Sequence, residues 1–143
     1  MHLKSIAAAA ALCLLSVTIA QAKTLHFTAA LTGAAQVPPV TTSATGQVEA
    51  TLDTAAKLFT YKATYAGLSG PVVAAHFHGP AAAGANGSPV VGVPKANLAS
   101  PITGTATLTD AQAADLMAGK WYFNVHTAAN PGGEIRGQLM AQP

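Results

Sequence analysis

Apolar and polar positions alternate with a period of two through most of the chain. In Gln47 to Asp53, residues Val48, Ala50 and Leu52 fall on one face and Gln47, Glu49, Thr51 and Asp53 on the other. In Leu58 to Ala66, the residues Phe59, Tyr61, Ala63 and Tyr65 share a face. Successive side chains of a strand point to opposite sides, so this period marks half-buried strands. Thr24 to Thr32, Val72 to His78, Ile102 to Leu108, Trp121 to His126 and Glu134 to Met140 complete seven expected strands. Breaks rich in Gly and Pro separate them, which favours an all-β, antiparallel sandwich or barrel. One short helix interrupts the pattern. Thr109-Asp110-Ala111-Gln112 fits a capping box, with Leu108 as the staple residue. Ala113, Ala114, Leu116 and Met117 continue it and Gly119 ends it. Met117 is assigned to the buried stripe of this helix, and Met140 to the core at a strand end. Pro38-Pro39 and the stretch Gly79 to Pro94 read as loops.

The first segment breaks the pattern. His2 and Lys4 precede an apolar run from Ile6 to Ala20, and Ala20-Gln21-Ala22 supplies small residues around a cleavage point. Residues 1–22 are therefore expected to be a secretory signal peptide, with a single domain at 23–143. The run is shorter than the roughly 20 apolar residues that span a bilayer, so no membrane span is expected in the mature chain. Cys13 is the one cysteine and lies inside that run. The remainder can form no disulfide and offers no thiolate. Composition narrows the picture further. Of 143 residues 33 are Ala, charged residues are only 8%, and the net charge is +2. Such a weak field gives no footprint for nucleic acid. Periplasmic or secreted localisation follows from the leader.

Candidate chemistry then rests on histidine. His76 and His78 are two apart on one expected strand, so both imidazoles project from one face. His126 ends another strand, sharing a face with Tyr122 and Asn124, while Trp121, Phe123 and Val125 take the core side. An even-register hairpin would set His126 across from Glu134 and Asn124 across from Arg136, surrounding the histidines with polar groups. Imidazole suits copper, zinc, iron or nickel, and the lack of cysteine with export tilts the choice to copper or zinc. Glu134 could fix a ring from behind. His26, beside Thr24 and Thr28, is an exposed strand residue or an additional ligand. The opposing reading of the pair is two solvated or hydrogen-bonded histidines on a polar face. No Gly-x-Ser-x-Gly segment, phosphate-binding glycine loop or paired-carboxylate pattern is present.

Several segments resemble the CHRD domain, the module named from chordin. They are Leu31-Thr-Gly-Ala-Ala-Gln-Val-Pro-Pro-Val40, Gly67-Leu-Ser-Gly70, Ala75-His-Phe-His-Gly-Pro-Ala81, Gly84-Ala-Asn-Gly87, and the long run from Tyr122 to Leu139. The resemblance covers about Phe27 to Leu139. Gln36 departs from the pattern, standing where many relatives carry Glu, and Phe77 replaces an aliphatic residue. The resemblance implies an immunoglobulin-like barrel akin to Cu,Zn superoxide dismutase. In that comparison His76, His78 and His126 resemble copper ligands, and Arg136 resembles the arginine that guides an anionic substrate. A bridging histidine and a zinc loop have no counterpart, since Gly84 to Pro94 holds neither His nor Asp. Three functions are compatible with these features. One is an exported protein that sequesters, buffers or transfers copper through three histidines. Another is a non-catalytic extracellular β-sandwich for protein or surface interaction, with an envelope protein as one candidate partner. The third is a copper-only dismutase-like redox protein.

Overall fold

The computed structural model describes residues 21–143; the expected signal peptide, with His2 and Cys13, lies almost wholly outside them. The strands are β1 (Thr24–Thr32), β2 (Thr45–Asp53), β3 (Leu58–Ala66), β4 (Val72–His78), β5 (Pro89–Gly92), β6 (Ile102–Thr107), β7 (Tyr122–Thr127), β8 (Ile135–Gln138) and β9 (Met140–Ala141). They form one antiparallel sheet in the order β5-β4-β7-β8-β1-β2-β3-β6, with β9 added alongside β1. The helix α1 (Asp110–Met117) and a 3₁₀ turn at Lys95–Asn97 complete the described elements.

The sheet curls because its apolar faces need one another. Phe59 on β3 and Phe77 on β4 come from opposite ends of the strand order, yet their ring centroids are 5.0 Å apart and edge-on. Phe77 also meets Phe123 on β7 at 4.6 Å and Tyr61 on β3 at 4.8 Å. Trp121 closes the cluster 5.6 Å from Phe59. Offset and edge contacts of this kind add about 0.5–1.5 kcal/mol per pair beyond the area buried. Phe27, Leu31, Val48, Leu52, Ile102, Val125, Ile135 and Leu139 fill the rest of a single core. The result is an all-β, nearly closed barrel with one short helix, as the alternating pattern requires.

The expected capping box is present. Thr109 Oγ1 accepts from the Gln112 backbone N–H at 3.1 Å, and the Gln112 side chain accepts from the Thr109 N–H at 3.0 Å. Several expectations are corrected. Gly79 to Pro94 is not all loop: Pro89–Gly92 pairs with β4 as an edge strand. The expected final strand is broken at Leu139, whose N–H turns to Trp121 O at 2.9 Å, so that β9 moves to β1. Met117 and Met140 are not core residues; they are 47% and 55% exposed. Only Ala113 and Leu116 of α1 reach the core, because an eight-residue helix on the barrel surface presents little more than one turn inward.

Candidate metal centre

β4 and β7 lie side by side, and their register decides the site. His76 is opposite Asn124, His78 opposite Tyr122 and Ala74 opposite His126. The rings of His76 and His78 leave β4 on one face, 5.5 Å apart between centroids. His126 reaches over from β7, 5.1 Å from His76 and 6.4 Å from His78. One ligand nitrogen from each of the three lies within 4.8 Å of the other two. His76 Nδ1 and His126 Nε2 are 3.3 Å apart. An ion held at about 2.0–2.1 Å from two imidazole nitrogens in a tetrahedral arrangement needs a separation of roughly 3.3–3.4 Å. The pair already stands at that distance.

Two backbone carbonyls orient the rings. His78 Nδ1 is 2.9 Å from Gly87 O, and His126 Nδ1 is 2.9 Å from Pro131 O. A carbonyl only accepts, so in both rings Nδ1 carries the hydrogen and Nε2 holds the lone pair. This is the arrangement that frees Nε2 for a metal. Asn124, 4% exposed, sits between them, with its Oδ1 3.0 Å from each Nε2. Burial pushes the His76 pKa down, and the charges His126 and His78 would carry push it further. Burial also lowers His78, helped by His126 and Arg136; the Gly87 and Asn124 hydrogen bonds oppose this without reversing it. Both rings therefore stay neutral more readily than a free imidazole, and a cation meets little proton competition.

Behind the histidines lies a stack. The Tyr122 ring is parallel to that of His78, 4.7 Å away and tilted by 6°. The Arg136 guanidinium carbon sits 3.4 Å from the centroid of Tyr122 on β7. Arg136 faces Asn124 across β7 and β8, in the expected register. Its guanidinium donates to Asn86 Oδ1 at 2.9 Å and to Ala85 O at 2.6 Å. With 2% exposure it anchors the loop over β7 and does not project toward an incoming anion. That corrects the guiding role implied by the resemblance. The loop is held a second time, since the Gly87 N–H donates to Tyr122 Oη at 3.2 Å.

Glu134 is likewise not behind a histidine. The β7–β8 ladder ends at Val125 and Ile135, so the expected His126–Glu134 pair does not form. The carboxylate turns to hydroxyls instead, accepting from Thr42 (2.8 Å), Thr127 (2.7 Å), and both the Oγ (2.8 Å) and the backbone N–H (2.9 Å) of Ser69. Burial alone would raise its pKa, but the bonds from Thr127, Ser69 and Thr42 outweigh that and hold it at about 2. Ser69 and Thr127 fall inside segments that carry the family resemblance, but nothing in the sequence paired them or Thr42 with Glu134, because hydroxyl donors are common and their chain positions are distant. His26 is exposed on β1 and takes no part in the cluster. It borders a groove of about 750 Å³ that also includes Thr28, Glu49, Thr51 and Lys62. That groove is formed on β1, β2, β3 and β6 and holds none of the three clustered histidines.

A family model for the CHRD domain matches residues 27–139. The chain belongs to the CHRD domain family. No curated protein and no solved structure matches it, and the expected likeness to the superoxide dismutase barrel is not shown by them.

Proposed function

We propose that this CHRD domain is an exported metal-binding protein that holds copper through His76, His78 and His126, and sequesters, buffers or passes on the ion. The observation that carries the reading is the convergence of three ring nitrogens within 4.8 Å, with two rings fixed by the carbonyls of Gly87 and Pro131. All three donors are imidazole nitrogens, and among the described residues no carboxylate joins them. Such a set suits copper, with zinc as the competing ion. Calorimetric titration of metal-free protein should give one copper per chain. The double variant His76→Ala/His78→Ala should lose it, and absence of uptake by the parent protein ends the proposal. A dismutase-like activity loses support because Arg136 is committed to Tyr122, Asn86 and Ala85.

The non-catalytic reading draws on one specific contact. His78 ties the Gly87 loop to the sheet, which is a structural task. If that were the purpose of the cluster, a stable envelope partner would be recovered equally well with and without chelator.

A further inference from the structure

The two ends of a side-chain amide have nearly the same shape, and only their hydrogen-bond partners say which is oxygen and which is nitrogen. At Asn124 the partners decide against the oxygen facing the histidines when no metal is bound. His78 and His126 each carry their hydrogen on Nδ1, toward Gly87 O and Pro131 O. Both Nε2 atoms are then acceptors, and an oxygen 3.0 Å from each would face two lone pairs; that of His126 is shared with His76 Nδ1 at 3.3 Å, whereas that of His78 has Asn124 as its neighbour. Doubly protonated rings would satisfy the oxygen, but they would place two cations side by side with no carboxylate bonded to either. On the far side of the amide a complementary mismatch exists. Gln36 is 5% exposed and its Nε2 is buried without a partner. Gly133, at φ +116°, leaves room there: a Cβ at that position would lie 2.5 Å from Gln36 Nε2 and 2.9 Å from Asn124 Nδ2. Gln36 Nε2, buried without an acceptor, and Asn124 Nδ2 thus border the same spot beside Gly133.

Turning the Asn124 amide by half a turn repairs both faults. We infer that in the metal-free protein Asn124 Nδ2 donates one hydrogen to His78 Nε2 and the other to His126 Nε2, while its oxygen accepts from Gln36. Asn124 is then a cap on the ligand lone pairs, and metal entry turns it over. In the loaded state the oxygen faces the cation side, and the nitrogen faces Gln36, whose own amide turns to offer Oε1. The paired amides form a two-position switch in which one set of partners is complete with the site empty and the other with it filled. Asn124 and Gln36 are positioning residues, acting on the metal through the availability of His78 and His126. The capped state stands on hydrogen-bond geometry alone; its displacement rests on the metal-binding reading above.

The test is nuclear magnetic resonance of the ¹⁵N-labelled, metal-free protein at mildly alkaline pH. The expected result is scalar coupling across hydrogen bonds from Asn124 Nδ2 to the Nε2 of both His78 and His126, with both rings in the Nδ1–H form. Resolved Asn124 amide signals without that coupling, or a ring hydrogen on either Nε2, overturn the proposal. Zinc addition should abolish the coupling. If neither zinc nor, by calorimetry, copper binds, the metal reading fails while the coupling persists, so the two failures are distinct. In Gln36→Glu, a carboxylate that only accepts should draw Nδ2 to itself and remove the coupling without metal. Coupling retained in that variant overturns the role given to Gln36.

Discussion

Replacing Glu134 isolates the polar network that binds the loops to the barrel on the far side of β7. Its carboxylate is fully buried and accepts four hydrogen bonds, from Thr42, Thr127 and twice from Ser69. Hydrogen bonds to a charged group are worth about 1.5–3 kcal/mol each but do not add. Glu134→Ala leaves four neutral donors without their acceptor, at about 1–3 kcal/mol for each unsatisfied buried group; since such costs do not add, about 3–5 kcal/mol is expected in all. Glu134→Gln keeps one oxygen and lets hydroxyls rotate to accept, so about 2 kcal/mol is expected. Against a total stability of about 5–15 kcal/mol, the Ala variant loses a large share. With a urea slope of about 1–3 kcal/mol per molar, its midpoint should fall by roughly 2 M. The effect depends on pH with a definite sign. The carboxyl is held at about 2 against an ordinary value of 4.5, so below 4.5 the unfolded chain binds the proton first. Its contribution is complete above that value and fades as pH falls toward 2. Urea melts of parent and Glu134→Gln at neutral and acid pH should therefore converge in acid. Equal midpoints at neutral pH, or a difference that does not shrink in acid, refute the reasoning.

Thr109→Ala removes the cap of α1 and should cost about 1 kcal/mol by urea denaturation, with metal uptake unchanged. Arg136→Lys cannot reproduce the flat stack on Tyr122 or the paired donation to Asn86 and Ala85. Hydrogen exchange should then speed up in the 84–88 loop. The depressed pKa values of His76 and His78 mean that protons compete for these two rings only at lower pH than for an ordinary imidazole. Zinc affinity should fall with acidification, and the pH at which His76 and His78 take up protons in the metal-free protein should lie below that of a free imidazole by nuclear magnetic resonance; uptake at or above it contradicts the assignment.

The strands with a clear alternation, β2 and β3 above all, were legible because a period of two is imposed by the backbone itself. The capping box at Thr109 was legible for the same reason, since its contacts are local. β5 was hidden because Pro89-Val-Val-Gly92 is too short to show a period and is flanked by turn residues. The three histidines could be named because strand geometry puts i and i+2 on one face, and the reach of His126 followed from its strand position. What surrounds them could not. The acceptors that orient the rings are backbone carbonyls of Gly87 and Pro131, which no residue type advertises. Arg136 was legible on its strand opposite Asn124, while Glu134 falls just before β8; the side-chain contacts of both with Ser69, Thr42, Asn86 and Ala85 depend on how distant loops fold back.

X-ray absorption on copper-loaded protein reads the central geometry most directly. The account predicts one copper with three imidazole nitrogens at about 2.0 Å, and loss of the imidazole scattering in His76→Ala/His78→Ala. A copper shell with fewer than two imidazoles, or a spectrum unchanged in that variant, contradicts it.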